Sequence, residues 1–245
     1  MATVDEVLTR ERRDDRPALV DASGRVYDRH WLCTSAWKAG NFLRHTGVRR
    51  GVTVGVVGDG PRALLSFLGT ALLEGRTWFD PPTDLTDAPS IRTLVAPAAD
   101  LDRYALPTGT QRVCYGDEPT APDVHHLDAG LWSENPSFPP TAIEPDTPLL
   151  GPVGRADRSV SHAEAMRAVT DLVDEYDLES GTRVGVTGSF ADPRVIVAGV
   201  LAPLVADGVL VLGEDRSAAT VDLLVTDGTE ERYSIPTLPL EAVSL

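Results

Sequence analysis

Gly51-Val-Thr-Val-Gly-Val-Val-Gly58 is nearly repeated 130 residues later as Gly181-Thr-Arg-Val-Gly-Val-Thr-Gly188, with five of eight positions identical. Each stretch is short, rich in valine and bounded by glycines, which is typical of a buried β-strand that ends in a tight turn. The repetition predicts that the chain contains two related units.

Similar helices precede both strands. Apolar residues spaced at i, i+4, i+7 and i+11 predict an amphipathic helix in each unit. The two sets are Leu32, Ala36, Ala39 and Leu43, and Ala165, Val169, Leu172 and Tyr176. Asp28 can cap the first helix, and Ser161 with Glu164 forms a capping box for the second.

Similar elements also follow both strands. Pro61 and Pro193 each stand at the first turn of an apolar helix, where the missing N–H costs least. The predicted helices are Ala63 to Leu73 and Val195 to Val205, and the predicted strands are Thr77 to Phe79, Val209 to Leu212, Ala88 to Val95 and Ala218 to Val225. Apolar strands that alternate with helices indicate an α/β fold with mainly parallel sheets flanked by helices. We expect two similar subdomains, residues 1–140 and 141–245, packed as one compact unit.

The net charge of −15 comes from 24 Asp and 13 Glu against 21 Arg and one lysine, Lys38. Abundant carboxylates with almost no lysine predict halophilic adaptation, because they keep a protein hydrated and self-repelling in concentrated salt. A nucleic-acid-binding acidic tail is the competing explanation, although the acids are scattered rather than blocked. Direct binding to nucleic acid needs a basic face, so we expect none.

The chain shows no membrane or export signal. It has no run of about 18 apolar residues, and its first residues, Met1-Ala-Thr-Val-Asp-Glu6, lack the basic and apolar regions of a signal peptide. We therefore expect a cytoplasmic protein without a membrane partner. Its 245 residues, 42% of them apolar, are enough to bury a substantial core.

No residue pattern predicts a metal site. Cys33 and Cys114 are expected to be reduced, partly buried thiols, and the pair His125-His126 is expected in a solvated loop. Two further segments are expected at the surface. One is the charged run Glu11-Arg-Arg-Asp-Asp-Arg16, and the other is the linker from Tyr115 to Pro148, with Trp132 and Phe138 packed onto the core.

One stretch fits a dinucleotide-binding fingerprint. Gly58, Gly60 and Ala63 match G-x-G-x-x-A between a strand and a helix, and Asp80 ends the next strand. In such a site the glycines admit a pyrophosphate and the acid holds a ribose hydroxyl. The alternative is that these glycines only make the turn, since the second unit lacks the fingerprint and Pro61 removes an N–H.

Further segments together resemble the acyl-adenylate-forming superfamily, which includes AMP-dependent acyl-CoA synthetases, peptide-synthetase adenylation domains and luciferase. They are Arg16 to Asp21, Val26-Tyr27, Gly47 to Asp59, Phe67 to Gly75, Asp80-Pro81, Glu144 to Leu150, Ser161-His162 and Leu201 to Leu204. The resemblance covers most of the chain. It implies the N-terminal region of that family, which contains two similar α/β subdomains.

The chain departs from the family where ATP would bind. The resemblance implies that a loop rich in Ser, Thr and Gly, ending in lysine, cradles the ATP phosphates after Leu150. Here the stretch reads Gly151-Pro-Val-Gly-Arg-Ala-Asp-Arg158, with Asp157 in place of the lysine. The residues that could still contact a phosphate are Gly151, Gly154, Arg155 and Arg158.

Other family features are also missing. Asp192 stands where the family commonly has a histidine near the acyl pocket, and the sequence ends at Leu245, before the adenine-binding segment and the mobile C-terminal domain. We therefore expect no catalytic residues and no certain cofactor, with ATP or AMP the only candidates.

These departures leave two main functional hypotheses. The first is a non-catalytic relative of acyl-CoA synthetases that binds or regulates, with an acyl-CoA synthetase or a second copy as its partner. The second is half of a split adenylate-forming ligase, an acid–thiol ligase when completed by a partner chain. A dinucleotide-binding protein is a third.

Overall fold

The computed structural model describes residues 1–88, 90–140, 142–153, 158–213, 220–226 and 235–245. In chain order, the strands of the described residues are β1 (Pro17–Val20), β2 (Val26–Asp28), β3 (Thr53–Val56), β4 (Arg76–Phe79), β5 (Ile91–Pro97), β6 (Gln111–Tyr115), β7 (Val124–His126), β8 (Pro148–Val153), β9 (Arg158–Ser161), β10 (Arg183–Val186), β11 (Val209–Val211), β12 (Leu223–Thr226) and β13 (Thr237–Pro239). Their helices are α1 (Arg29–His45), α2 (Pro61–Ala71), α3 (Leu127–Ser133), α4 (His162–Glu175), α5 (Pro193–Val195) and α6 (Ala202–Val205), and a π-helical segment, Ile196–Leu201, joins α5 to α6.

The packing divides the chain differently from the boundary expected at residue 140. One compact unit contains residues 1–33 and 160–245, and the other contains residues 34–159. The first 33 residues belong with the C-terminal part because β1 pairs with β11, with Leu19 opposite Leu210. Residues after 140 belong with the middle of the chain because β8 pairs with β4, with Leu150 opposite Thr77.

The unit of residues 1–33 and 160–245 contains a six-stranded sheet in the order β13-β12-β10-β11-β1-β2. Its strand pairs are parallel, apart from the antiparallel pair of β1 and β2. Val184, Leu210 and Leu224 have no exposed surface, as expected for central strands of a sheet that is covered on both faces.

The unit of residues 34–159 contains most of a seven-stranded sheet in the order β7-β6-β5-β3-β4-β8-β9. The pairs from β7 through to β8 are parallel. Gly55 lies in the central strand β3, where an added Cβ would come 2.9 Å from Leu94 Cδ1. Close packing therefore favours glycine there, because a Cβ would have to displace the ends of neighbouring side chains.

The helices predicted from apolar spacing are present. The predicted cap of α1 is confirmed, because the Trp31 amide donates to Asp28 Oδ1 at 2.6 Å. The capping box of α4 is confirmed too: the Glu164 amide donates to Ser161 Oγ at 3.2 Å, and the Ser161 amide donates to Glu164 Oε2 at 2.8 Å. Among the described residues, no helix is long and apolar enough to cross a membrane.

The segment predicted as a linker contains secondary structure, namely β7 and α3. Phe138 is buried as expected, but Trp132 is 88% exposed, so its predicted packing onto the core is wrong. Helix α3 faces the core through Leu127 and Gly130, where a Cβ at Gly130 would lie 2.2 Å from Phe42 Cδ2. At 100° per residue, Trp132 falls on the opposite face.

The charged run from Glu11 to Arg16, which was expected at the surface, forms ion pairs with Asp207. Arg12 Nη2 lies 2.5 Å from Asp207 Oδ1, Arg16 Nη2 lies 3.2 Å from Asp207 Oδ2, and Arg29 Nη1 lies 3.1 Å from Asp207 Oδ1. Arg12 also donates to the carbonyls of Leu204 and Val205, both at 2.9 Å. These contacts hold the N-terminal segment against the end of α6.

Candidate functional site

Strands β8 and β9 border the segment predicted to contact phosphate. Of the four predicted residues, Gly151 and Arg158 are described, while Gly154 and Arg155 lie outside the described residues, as does Asp157. Gly151 is buried in β8 and has a φ of +135°, and a Cβ there would come 2.9 Å from Arg158 O and 3.0 Å from Ser159 Cα. Glycine at position 151 is therefore explained by the close approach of β9.

Arg158 is the first residue of β9 and is exposed to solvent. The structure thus brings two of the four predicted residues, Gly151 and Arg158, onto neighbouring strands. Their contact with a phosphate stays a prediction.

His162 follows β9 directly and begins α4. Its side chain has no exposed surface, and its Nδ1 accepts a hydrogen bond from the Val4 amide at 3.1 Å. Burial lowers the pKa of His162 to about 4, because the charged imidazolium would lose its hydration. His162 is therefore neutral at pH 7, and its proton resides on Nε2, which has no hydrogen-bond partner among the described residues.

In the sequence, His162 contributes only to the Ser161-His162 segment of the family resemblance, and no functional role is predicted for it. Its signal was the position directly after the Ser161 cap, at the first turn of a helix. A buried, neutral histidine with one ring nitrogen occupied serves packing and hydrogen bonding in this unit.

The dinucleotide fingerprint lies at the turn between β3 and α2. The Gly58 amide donates to Asp80 Oδ1 at 2.9 Å. The Tyr115 hydroxyl donates to the Val57 carbonyl at 2.7 Å, and it would lie 2.6 Å from a Cβ at Gly58. The acid predicted for a ribose thus holds the turn itself, and Tyr115 fills the space beside the glycine. This arrangement favours the alternative in which the glycines only make the turn.

Asp192 stands at the start of α5 and is engaged locally. Its carboxylate accepts from the Arg194 amide at 2.9 Å and from Arg194 Nη2 at 2.5 Å. Burial opposes its ionisation, but the hydrogen bonds and charge of Arg194 outweigh that effect and hold the pKa of Asp192 below its usual value. Asp192 is therefore an ionised N-cap.

In the described part of the chain, no group of three or more His, Cys, Asp or Glu side chains is arranged to hold a metal ion. Cys33 and Cys114 are both free thiols and both buried. Burial raises the pKa of Cys33 to about 11, so it is protonated at neutral pH. His125 and His126 lie on β7 rather than in the predicted loop.

Solved structures share this fold, although no family model and no curated protein matches the sequence. The nonribosomal peptide synthetase FmoA3 aligns with a TM-score of 0.74 and 20% identity over 91% of this chain. The anthranilate CoA ligase AuaEII, in complex with anthranoyl-AMP, aligns with a TM-score of 0.75 and 16% identity over 91%. MatB from Rhodopseudomonas palustris aligns with a TM-score of 0.71 and 14% identity over 91%.

The fold is that of the N-terminal part of adenylate-forming enzymes. The resemblance noted in the sequence is thereby confirmed at the level of the fold. The chain spans 25% of the peptide synthetase and 49% of each of the other two enzymes. At such low identities the similarity establishes the adenylate-forming fold alone.

Proposed function

We propose that this chain is an AMP-dependent acyl-CoA synthetase-like protein whose ATP-binding loop has degenerated, and that it binds or regulates rather than catalyses. One observation carries the proposal. A chain with the adenylate-forming fold has no Ser or Thr from Gly151 to Arg158, the stretch that runs from the end of β8 to the first residue of β9. In such a loop, hydroxyls would donate hydrogen bonds to the phosphates of ATP, and a lysine would offset part of their negative charge.

Charge at this segment supports the proposal. In the sequence, Asp157 stands where the resemblance implies a lysine, so this stretch carries a negative charge where a phosphate-binding loop would carry a positive one. Two unit charges about 4 Å apart interact by about 4 kcal/mol at an intermediate dielectric, here with the unfavourable sign. The sequence also places two positive charges in this stretch, at Arg155 and Arg158, which would offset part of this repulsion if ATP bound there. At the start of α5, the position where the resemblance implies a histidine is occupied by Asp192, which is paired with Arg194.

The test measures ATP binding and pyrophosphate release. Isothermal titration of the full chain with ATP, AMP and acyl-CoA should show no ATP binding at micromolar concentrations, and ATP–pyrophosphate exchange should be absent. Asp157→Lys should increase ATP affinity about tenfold or more, whereas Asp146→Lys, which adds the same charge outside the loop, should not. Micromolar ATP binding with pyrophosphate release by the unaltered chain would refute the proposal.

The partner in this proposal is an acyl-CoA synthetase or a second copy of the chain, in the cytoplasm. Co-purification from the source cells, followed by identification of the bound proteins, distinguishes the two. A purified chain that is monomeric and retains no synthetase would contradict this part of the proposal.

A second candidate is half of a split ligase, because the chain spans only 25–49% of the enzymes that share its fold. A separately encoded chain would then supply the rest, and Arg155 and Arg158 would contact the phosphates. Mixing the two chains should produce carboxylate-dependent ATP–pyrophosphate exchange, and Arg158→Gln should reduce it. If the mixture shows no exchange, this candidate fails.

A further inference from the structure

A cavity of about 240 Å³ opens in the unit of residues 34–159, among residues that the predicted phosphate loop does not include. Strand β6 contributes Arg112 and Cys114 to its lining, and β7 contributes Val124. The turn after β5 contributes Leu101. Its remaining side comes from the segment that joins β6 to β7.

The floor of the cavity is apolar. Leu101 and Cys114 are 4% and 1% exposed, and Val124 packs against the same cluster of buried side chains. Burial raises the pKa of the Cys114 thiol, so it presents a neutral, polarisable surface at pH 7. Such a floor suits a compact apolar group.

The rim of the cavity is negatively charged. Arg112 is the basic residue of the lining, and it contacts Asp102 and lies 3.9 Å from Asp123 Oδ2, so its charge is already compensated. Asp117 and Glu118 are exposed at the rim. Neither of them forms an ion pair with any residue that the structure describes.

We propose that this cavity binds a small organic cation, an ammonium group carried on a compact apolar body. The body packs on Leu101, Cys114 and Val124, and the ammonium group lies between the carboxylates of Asp117 and Glu118. Two adjacent carboxylates without a basic partner attract a cation, and they repel an anion of the same shape. A ligand of about ten non-hydrogen atoms should bind with a dissociation constant of roughly 0.1–10 mM.

Three probes of one shape test the charge preference: phenethylammonium, 2-phenylethanol and phenylacetate. Ligand-observed NMR titration of the folded full chain should give saturable binding for the ammonium compound, binding at least fivefold weaker for the alcohol, and none for the carboxylate. Equal binding of the three probes, or no saturable binding of the ammonium compound below about 10 mM, would overturn the proposal.

Two double variants test whether phenethylammonium binds at this cavity. Asp117→Asn with Glu118→Gln should weaken phenethylammonium binding at least fivefold. The matched control, Glu144→Gln with Asp146→Asn, removes the same charge from exposed positions outside the cavity and should leave binding unchanged. An equal loss in both double variants would show that only the net charge matters, and would overturn the proposal.

The alkylation rate of Cys114 tests the position of the bound probe independently. Phenethylammonium should slow the alkylation of Cys114 by N-ethylmaleimide, measured by peptide mass spectrometry. Cys33, buried in the other unit, should react at an unchanged rate. Ala121→Phe, which fills the cavity, should abolish both the binding and the protection. Unchanged alkylation of Cys114 at saturating probe would place the bound cation elsewhere and refute the assignment.

Discussion

At the scale of single residues, His162 makes folding stability depend on pH. Its pKa falls to about 4 in the folded chain from an ordinary value of 6.5, so the unfolded chain binds the proton more readily. The stabilisation by neutral His162 is complete above about pH 6.5 and is lost as the pH falls toward 4. A shift of this size corresponds to about 3 kcal/mol.

His162→Asn provides the comparison, because an amide oxygen can still accept from the Val4 N–H but does not titrate. Urea denaturation of both proteins between pH 4 and 7.5 measures their free energies of unfolding. The unaltered protein should lose about 3 kcal/mol more than the variant over this range. Parallel pH profiles would show that His162 does not titrate as expected.

Gly151 is the second residue whose local geometry leads to a prediction. Gly151→Ala should destabilise the fold by about 2–3 kcal/mol, because it combines an unfavourable φ with a Cβ only 2.9 Å from Arg158 O. Gly24→Ala is the matched control, with a φ of +79° and no atom within 4 Å of the added Cβ. It should cost about 1 kcal/mol by urea denaturation. Equal costs would mean that β9 does not approach β8 as closely as the structure indicates.

At the scale of elements, the contacts of Asp207 attach the N-terminal segment to the end of α6. Asp207→Asn removes the carboxylate shared by Arg12, Arg16 and Arg29, and leaves the Arg29 guanidinium, only 2% exposed, without its counter-charge. We expect a loss of about 2 kcal/mol, less than for a fully buried pair because Asp207 is 30% exposed.

Urea denaturation and limited proteolysis measure this effect. In Asp207→Asn, cleavage should become faster within residues 1–16. Asp174→Asn, at an exposed position of α4, should change neither measurement. Unchanged cleavage of the N-terminal segment in Asp207→Asn would show that the ion pairs of Asp207 do not hold this segment in place.

Periodic patterns predicted most of the elements, and non-local contacts explain the remainder. The spacing of Leu32 to Leu43 was sufficient for α1, because helix formation depends on neighbours three and four residues apart. The sequence could not reveal that Arg12 meets Asp207, since 195 positions separate them. Likewise, Asp80 fitted a ribose-binding pattern, and only its distance to the Gly58 amide shows that it holds the turn.

At the scale of the whole molecule, the sequence resemblance identified the fold, but the packing boundaries depended on strand pairing. Five residues in eight recur at an offset of 130, yet β1 joins the sheet of β10 to β13, and β8 joins that of β3 to β7. A repeat in a sequence shows that two segments are similar. It does not specify which strands pair in the same sheet.

We propose that the acidic surface is adapted to concentrated salt, and its net charge of −15 leads to a prediction. Screening of self-repulsion should raise the thermal unfolding midpoint as KCl increases from 0.1 to 2 M, by roughly 2–4 °C for each kcal/mol of repulsion removed. Circular dichroism measures the midpoint, and sucrose of equal water activity controls for general solvent exclusion. A midpoint that is constant or falls with KCl would contradict halophilic adaptation.

The pairing of β1 with β11 has a consequence for the order of synthesis. Leu19 leaves the ribosome 191 residues before its partner Leu210. At about 5–20 residues per second, β1 and its hairpin partner β2 must wait roughly 10–40 s for the strand that completes their sheet. During that interval the exposed edge of β1 is open to other nascent chains, so this protein should need chaperone protection early in translation.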